Sequence, residues 1–224
     1  MNRIIVAIDG PAGSGKSTVS RRVAERLGYT YLDTGALYRC TALHALRQGI
    51  SLKDDVRLAT VMPGLRIEFY KRPESTGVRL NGEDVSDAIR TPEVSMAASQ
   101  VSAMASVRAG LLELQRALGR EGGVVLEGRD IGTVVFPQAQ LKIFLTASAE
   151  ARAKRRHAEL VQKGGKESLA EVLAATQQRD RQDAERTLAP LVQAPDAVPL
   201  DTTPLSIDEV VTTIADWALT RAAR

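Results

Sequence analysis

Cysteine is almost missing: Cys40 is the one thiol in 224 residues. No intramolecular disulfide can form, so the core alone must hold the fold, and a cytoplasmic location is expected. Aromatic residues are scarce at 4%, which leaves little for the stacking platforms of single-stranded nucleic-acid binders. The two histidines, His44 and His157, lie apart on expected helices, with no neighbour in sequence to complete a metal site or an acid–base pair. No stretch approaches eighteen apolar residues, the length a bilayer-spanning helix needs. The first apolar run, "RIIVAI", stops before Asp9 and is too short for a secretion signal. Charge of one sign is also lacking. Thirty Lys and Arg face 27 Asp and Glu, a net +3; this suits anionic ligands without arguing for nucleic acid or membrane.

What is present is an ordinary globular mix, long enough for one core domain with insertions. "RIIVAI" (3–8) is β-branched without alternation, as expected for a strand buried on both faces of a parallel sheet. An amphipathic helix follows, with Val19, Val23, Ala24 and Leu27 on one face and Gly28 as its stop. "TYLDTG" (30–35) predicts a second strand, and "ALYRCTALHALRQG" a second helix. This βαβ order predicts a parallel sheet with crossover helices. Residues 65–90 break the rhythm: Leu65, Ile67 and Phe69 alternate with polar partners, a turn-rich "KRPESTG" intervenes, and "NGED" carries the Asn-Gly hairpin signal. They predict a small antiparallel insertion. Thr91 as N-cap and Pro92 at the first helical position open a helix with Val94, Ala97, Ala98 and Val101 inward, and another is expected over 106–118. "GVVLEG", "LKIFLTA" and the weaker "VPLDTT" are further core strands. The arginine-rich stretch 149–186 reads as helical, with "QKGGKES" (162–168) as a hinge. A capping box, Ser206 to Glu209, opens the last helix, seated by Val210, Ile214 and Trp217.

The chemistry begins at "GPAGSGKST". Gly10, Gly15, Lys16 and Ser17 fit the phosphate-loop pattern G-x-x-x-x-G-K-[ST], placed between a buried strand and a helix as that motif requires. Gly10, Pro11, Ala12, Gly13, Ser14, Gly15, Lys16, Ser17 and Thr18 are therefore expected to hold the phosphates of ATP. Lys16 would reach the outer phosphates and Ser17 would ligate Mg²⁺. The chain lacks an Asn-Lys-x-Asp guanine reader. "VVLEG", ending at Glu127, could pass for the acidic strand of a translocating ATPase, but size and insertion favour a kinase of a small acceptor. Arginines concentrate near expected loop and helix ends: Arg39, Arg108, Arg129, Arg152, Arg155, Arg156, Arg179, Arg181 and Arg186. Phosphoryl transfer needs such convergent charge. A phosphate acceptor is already ionised near neutral pH and needs no general base, in keeping with the lack of a base candidate.

In chain order, "GPAGSGKST", "YLDTGALYR", "LNGEDVSDAIRTPEV", "AASQVS", "EGRDIGTVVFP", "KIFLTASAEARAKRR" and "RDRQDAERTLAPL" resemble the bacterial type of cytidylate kinase. The likeness covers almost the whole chain, and "GRDIGTVVFP" and the insertion are its specific parts. It implies an α/β three-layer core with a central parallel sheet of about five strands, a small antiparallel insertion and a short helical lid. Residues 1–40 and 92–224 would form the core, with the lid at about 149–166. Residues 41–91, with the insertion at about 65–90, would bind the monophosphate.

The resemblance further implies that Thr34, Arg39, Arg129 and Arg186 grip the acceptor phosphate. It places Ser99, Arg108 and Asp130 at cytosine, Arg179 and Asp183 at the ribose, and Arg90 with the part that closes over CMP. Arg152 falls at ATP, and Arg155 and Arg156 in the lid, where with Lys16, Arg129 and Arg186 they would serve catalysis. Asp33 is a candidate to hold the metal through water. Glu127 stands where this family often has Asp, one methylene longer. The residue types suit cytosine: an aspartate accepts from the N4 amine, and an arginine donates to N3 and O2. Uracil reverses that edge, and hydrogen-bonding sites discriminate by roughly 10²–10⁵-fold. CMP and dCMP are the expected acceptors of a monomer that binds neither nucleic acid nor membrane. A kinase of UMP or another polar metabolite, and a nucleotide-gated RNA-binding protein, are the alternatives.

Overall fold

The computed structural model describes residues 2–72, 76–162 and 164–223. Part of the turn-rich "KRPESTG" and of the hinge at 162–168 lies outside the described residues. The elements run in chain order β1 Ile5–Asp9, α1 Lys16–Leu27, β2 Thr30–Asp33, α2 Thr34–Arg47, α3 Asp55–Val61, β3 Ile67–Lys71, β4 Thr76–Leu80, β5 Glu83–Asp84, α4 Pro92–Val101, α5 Ala105–Gly119, β6 Val124–Gly128, β7 Leu141–Thr146, α6 Ala149–Gln162, α7 Leu169–Ala184, β8 Val198–Asp201 and α8 Ile207–Ala222. They form two compact units, residues 1–32 with 121–224, and residues 33–120.

The first unit carries the five-stranded parallel sheet, in the order β2-β6-β1-β7-β8. Strand β1 is central, paired with β6 (Ile8 beside Glu127) and β7 (Ile8 beside Ile143). Its run of Val6, Ala7 and Ile8 is wholly buried, which explains why its sequence shows no alternation. Val19 and Val23 of α1, Val210 and Ile214 of α8, and Ile8, Ile143 and Leu145 of the sheet share one core, with Trp217 packed against it. Each such side chain stabilises by about 1.5–3 kcal/mol. Gly28 stops α1 in a left-handed conformation, and the Ser206–Glu209 capping box opens α8. The order of strands reverses at β1, and ligands of open α/β sheets bind at the carboxyl ends of strands at such a switch point. Asp9, Glu127, Thr146 and Asp201 all stand at or near those ends.

The second unit has its own core of Leu37, Leu58, Val78, Ile89, Val101 and Leu111. Its antiparallel sheet, β3-β4-β5, is the expected insertion. Asn81 and Gly82 take positive φ (51° and 88°) between β4 and β5, as a tight hairpin turn of the primed kind demands. Tyr70 lies opposite Gly77, and a side chain at 77 would collide with its ring. Thr91 caps α4 by accepting from the Val94 amide at 3.2 Å, with Pro92 in the first turn.

Among the described residues, the structure has elements beyond the sequence reading, helix α3 and a π-helical turn among them. Helix α3 is short, with one fully buried residue, Leu58, so it carries almost no periodic signal. Residues 131–135 form a π-helical turn directly after "GRD". Helix α7 opens with its own capping box, Ser168 with Glu171.

Candidate active site

The phosphate loop connects β1 to α1. A side chain at Gly10 would run into the Leu145 carbonyl, and Gly13 and Gly15 take left-handed φ of 76° and 89°. Only glycine fits all three places cheaply. The loop ends at the N-terminus of α1, where free backbone amides and the helix dipole favour an anion. Lys16 is the first helical residue and is buried. Its ammonium donates to the Pro11 carbonyl at 2.6 Å and lies 3.5 Å from Ser14 Oγ. Burial lowers its pKa well below the lysine range; the Arg129 and Arg179 charges push the same way, against Glu127 and Asp183. The lysine is held in place, close to two further cations, where an anion would relieve the repulsion.

Next to it, Ser17 Oγ donates to Glu127 Oε2 at 3.0 Å. Glu127 is buried at the end of β6, and its other oxygen accepts a short hydrogen bond from the Tyr31 hydroxyl. The Arg21 guanidinium lies 5.6 Å from the Tyr31 ring centre. The longer glutamate thus reaches the phosphate-loop serine directly. With its hydrogen committed to Glu127, the Ser17 oxygen keeps its lone pairs for a hard cation, which prefers oxygen donors.

The arginines of this unit divide. Arg129 Nε pairs with Asp183 at 2.8 Å and its Nη1 donates to the Gly128 carbonyl at 3.2 Å. Burial alone would raise the Asp183 pKa, but Arg129, Arg179 and Arg186 hold it below the usual carboxylate value. Arg186 also donates to the Ala189 carbonyl at 2.9 Å. Lys16, Arg129, Arg179, Arg186 and Asp183 are thereby brought together, with Asp130 buried beside Arg129 in sequence.

Arg152, Arg155 and Arg156, on α6, are engaged with protein partners. Arg152 is 5% exposed and makes a two-pronged pair with Asp180 at 2.9 and 2.6 Å. It also donates to the Ala147 and Ala12 carbonyls at 2.9 and 3.1 Å. Arg155 reaches Thr202, at 3.2 Å to the hydroxyl and 2.9 Å to the carbonyl. Arg156 pairs with Glu159 one turn on, at 3.0 Å, with 40% of its side chain exposed.

In the second unit, Asp33 caps α2 by accepting from the Ala36 amide at 3.1 Å, and pairs with Arg39 at 2.6 Å. Arg90 lies 4.0 Å from the same carboxylate. Burial pulls the Asp33 pKa up, but the Arg39 and Arg90 charges prevail and hold it low. Thr34, the first residue of α2, is buried. Ser99 lies on α4. Arg108, on α5, donates to the Ser102 carbonyl at 3.3 Å and stacks over Tyr38 at 5.7 Å.

Four residues of this picture escape a sequence reading: Asp9, Tyr31, Asp180 and Thr202. Asp180 sits in a run of alternating charges and Tyr31 in a strand, where both read as ordinary. Thr202 is buried, and its hydroxyl contacts the Ser14 and Thr146 carbonyls at 3.3 and 3.0 Å, contacts that no local pattern announces.

A phosphate loop leaving the central strand of a parallel sheet at its switch point, with lysine and arginines gathered beside it, defines a P-loop nucleotide-binding α/β protein. A solved but uncharacterized protein from Eubacterium ventriosum shares the fold, with a TM-score of 0.51 at 12% identity over 96% of this chain and 98% of its own. The family model for cytidylate kinase matches residues 6–219. A cytidylate kinase of Geobacter sulfurreducens is 54% identical over 208 residues, 93% of this chain and 89% of its own. One from Lactiplantibacillus plantarum is 50% identical over 210 residues, covering 94% and 92%. The chain belongs to the cytidylate kinase family.

Proposed function

We propose that the protein transfers the γ-phosphate of ATP to CMP, giving CDP and ADP. The observation that carries this reading is the gathering of Lys16, Arg129, Arg179 and Asp183 beside the phosphate loop, in a chain of the cytidylate kinase family. Residues 10–18 hold the triphosphate, with backbone amides and Lys16 supplying positive charge. Mg²⁺ bound at Ser17 would neutralise charge between the phosphates. Glu127 fixes the orientation of the Ser17 hydroxyl. Asp33 is assigned chiefly to orienting Arg39, with contact to the metal through water as its further role.

Arg39, Arg129 and Arg186, with Thr34, grip the CMP phosphate; guanidinium forks match phosphate oxygens in pairs, which lysine cannot do. Ser99, Arg108 and Asp130 read cytosine, and Arg179 and Asp183 hold the ribose. Arg90 and the antiparallel sheet, within the monophosphate-binding region 41–91, close over the acceptor. Arg155 and Arg156 turn from their present partners toward ATP when the lid at 149–166 closes, excluding water that would hydrolyse it. Arg152 acts from beneath the phosphate loop. dCMP is a second acceptor, and the enzyme works as a cytoplasmic monomer, apart from nucleic acid and membrane. No helix among the described residues is long and apolar enough to cross a membrane.

The test is selectivity. Asp130→Asn should erode the preference for CMP over UMP, and Arg108→Ala should raise the KM for CMP far more than that for ATP. An unchanged CMP:UMP ratio in the first variant would remove Asp130 from base reading.

A further inference from the structure

Asp9 is the residue that ends the first apolar run. It stands at the last position of β1, 5% exposed, immediately before the phosphate loop. Both carboxylate oxygens are engaged: Oδ1 accepts from the Ile131 amide at 2.9 Å and Oδ2 from the Gly132 amide at 2.8 Å. These two residues directly follow Arg129 and Asp130. We propose that Asp9 is a positioning residue, whose two oxygens clamp the loop carrying Arg129 and Asp130 to the end of the central strand and so set where that loop meets the acceptor nucleotide. The inference rests on the acceptor roles assigned to Arg129 and Asp130.

The geometry favours a specific clamp over a general structural role. The π-helical turn closes on itself afterwards, with the Val134 and Val135 amides bonding to the Asp130 carbonyl. At its start, the turn is tied to the sheet through the two Asp9 bonds. The phosphate loop has anchors of its own. Ser14 Oγ donates to the Pro11 carbonyl at 3.1 Å, Arg152 to the Ala12 carbonyl at 3.1 Å, and Thr202 to the Ser14 carbonyl at 3.3 Å. Loss of the Asp9 clamp therefore frees the acceptor-side loop more than the ATP-side loop. A Cβ at Gly132 would come within 3.4 Å of Asp9 Oδ2, an ordinary contact distance, so the turn lies directly against the carboxylate. Burying the carboxylate raises its pKa to about 6, with Asp130 adding to the rise and the two amides and Lys16 opposing it.

The experiment compares wild type with Asp9→Asn, in which one amide must face an NH₂ group instead of an oxygen. The wild-type CMP:UMP ratio tests the assigned activity; the change in that ratio tests Asp9. Asp9→Asn should raise the KM for CMP by about ten- to a hundredfold, as expected for a charged hydrogen bond lost, and lower the CMP:UMP ratio. The KM for ATP should stay within about twofold. Equal rises for ATP and CMP, or an unchanged CMP:UMP ratio, would overturn the proposal. Amide hydrogen exchange reads the clamp without substrate: Ile131 and Gly132 should exchange about tenfold faster in the variant, and unchanged exchange would overturn it. Should Asp9→Asn not fold, Asp9→Glu keeps the charge and should show the same selective loss for CMP. In the wild type the two amides should be as protected as those of β1; free exchange there would also sink the idea.

Discussion

Ser17 and Glu127 are joined by a hydrogen bond of 3.0 Å across 110 residues of chain, with Tyr31 holding the far oxygen of the same carboxylate. The phosphate-loop hydroxyl is thus oriented by the protein's own side chains. Glu127→Gln keeps the size but removes the charge, and one of its two polar atoms becomes a donor facing the hydroxyl of Ser17 or Tyr31. The expected result is a fall in kcat of about ten- to a hundredfold and a higher Mg²⁺ requirement. Initial rates over a Mg²⁺ series check both. Wild-type dependence on Mg²⁺ would remove Glu127 from this role.

The Arg152–Asp180 pair ties α6, α7 and the phosphate loop together within one unit. Asp180→Asn leaves a buried guanidinium poorly compensated. Breaking such a pair costs about 3–5 kcal/mol; Asp180 keeps 28% of its side chain exposed, so the lower end, about 3 kcal/mol, is expected. For a chain of this size the Tm should drop by about 6–12 °C, with a weaker affinity for ATP through the Ala12 carbonyl. Calorimetry checks the first and ATP titration the second; a drop under about 2 °C would show the pair to be dispensable.

Most of the fold was legible in the sequence because its signals are local. The unbroken β-branched run of β1, the Thr91-Pro92 helix start, the Asn81-Gly82 turn and the Ser206 capping box each name their structure within a few residues. Helix α3 was not, since Leu58 alone is fully buried on it. The phosphate loop was equally legible. The partners of its neighbours were not: Arg152 with Asp180, Glu127 with Ser17 and Tyr31, and Asp9 with Ile131 and Gly132 are contacts between distant segments, set by topology rather than spacing. Arginine-rich helices read alike from sequence, whether a guanidinium is buried against aspartate, as at 152, or is half-exposed and paired one turn on, as at 156.

The buried carboxylates make stability depend on pH in two opposite ways. Asp33 and Asp183 have depressed pKa values in the fold. Their contribution is present above the unfolded value, near 4, and is lost as pH falls below it through their folded values. Asp9 is raised to about 6. Its ionisation opposes folding, so its contribution grows as pH falls from above 6 toward 4, by about 3 kcal/mol in all. Thermal melts of wild type and Asp9→Asn from pH 3 to 8 check the signs. Relative to the variant, the wild type should gain stability between pH 7 and 5, and both should lose it below pH 4. Parallel curves over pH 5–7 would contradict the Asp9 part.

Transfer from the phosphate loop to a cytidine nucleotide is tested most directly by ADP formation from ATP and Mg²⁺ with CMP, dCMP, UMP, AMP or GMP, each against a blank without acceptor. CMP and dCMP should exceed UMP by roughly 10²-fold or more in kcat/KM, with AMP and GMP near the blank. Equal rates with CMP and UMP, or no acceptor above the blank, would contradict the account.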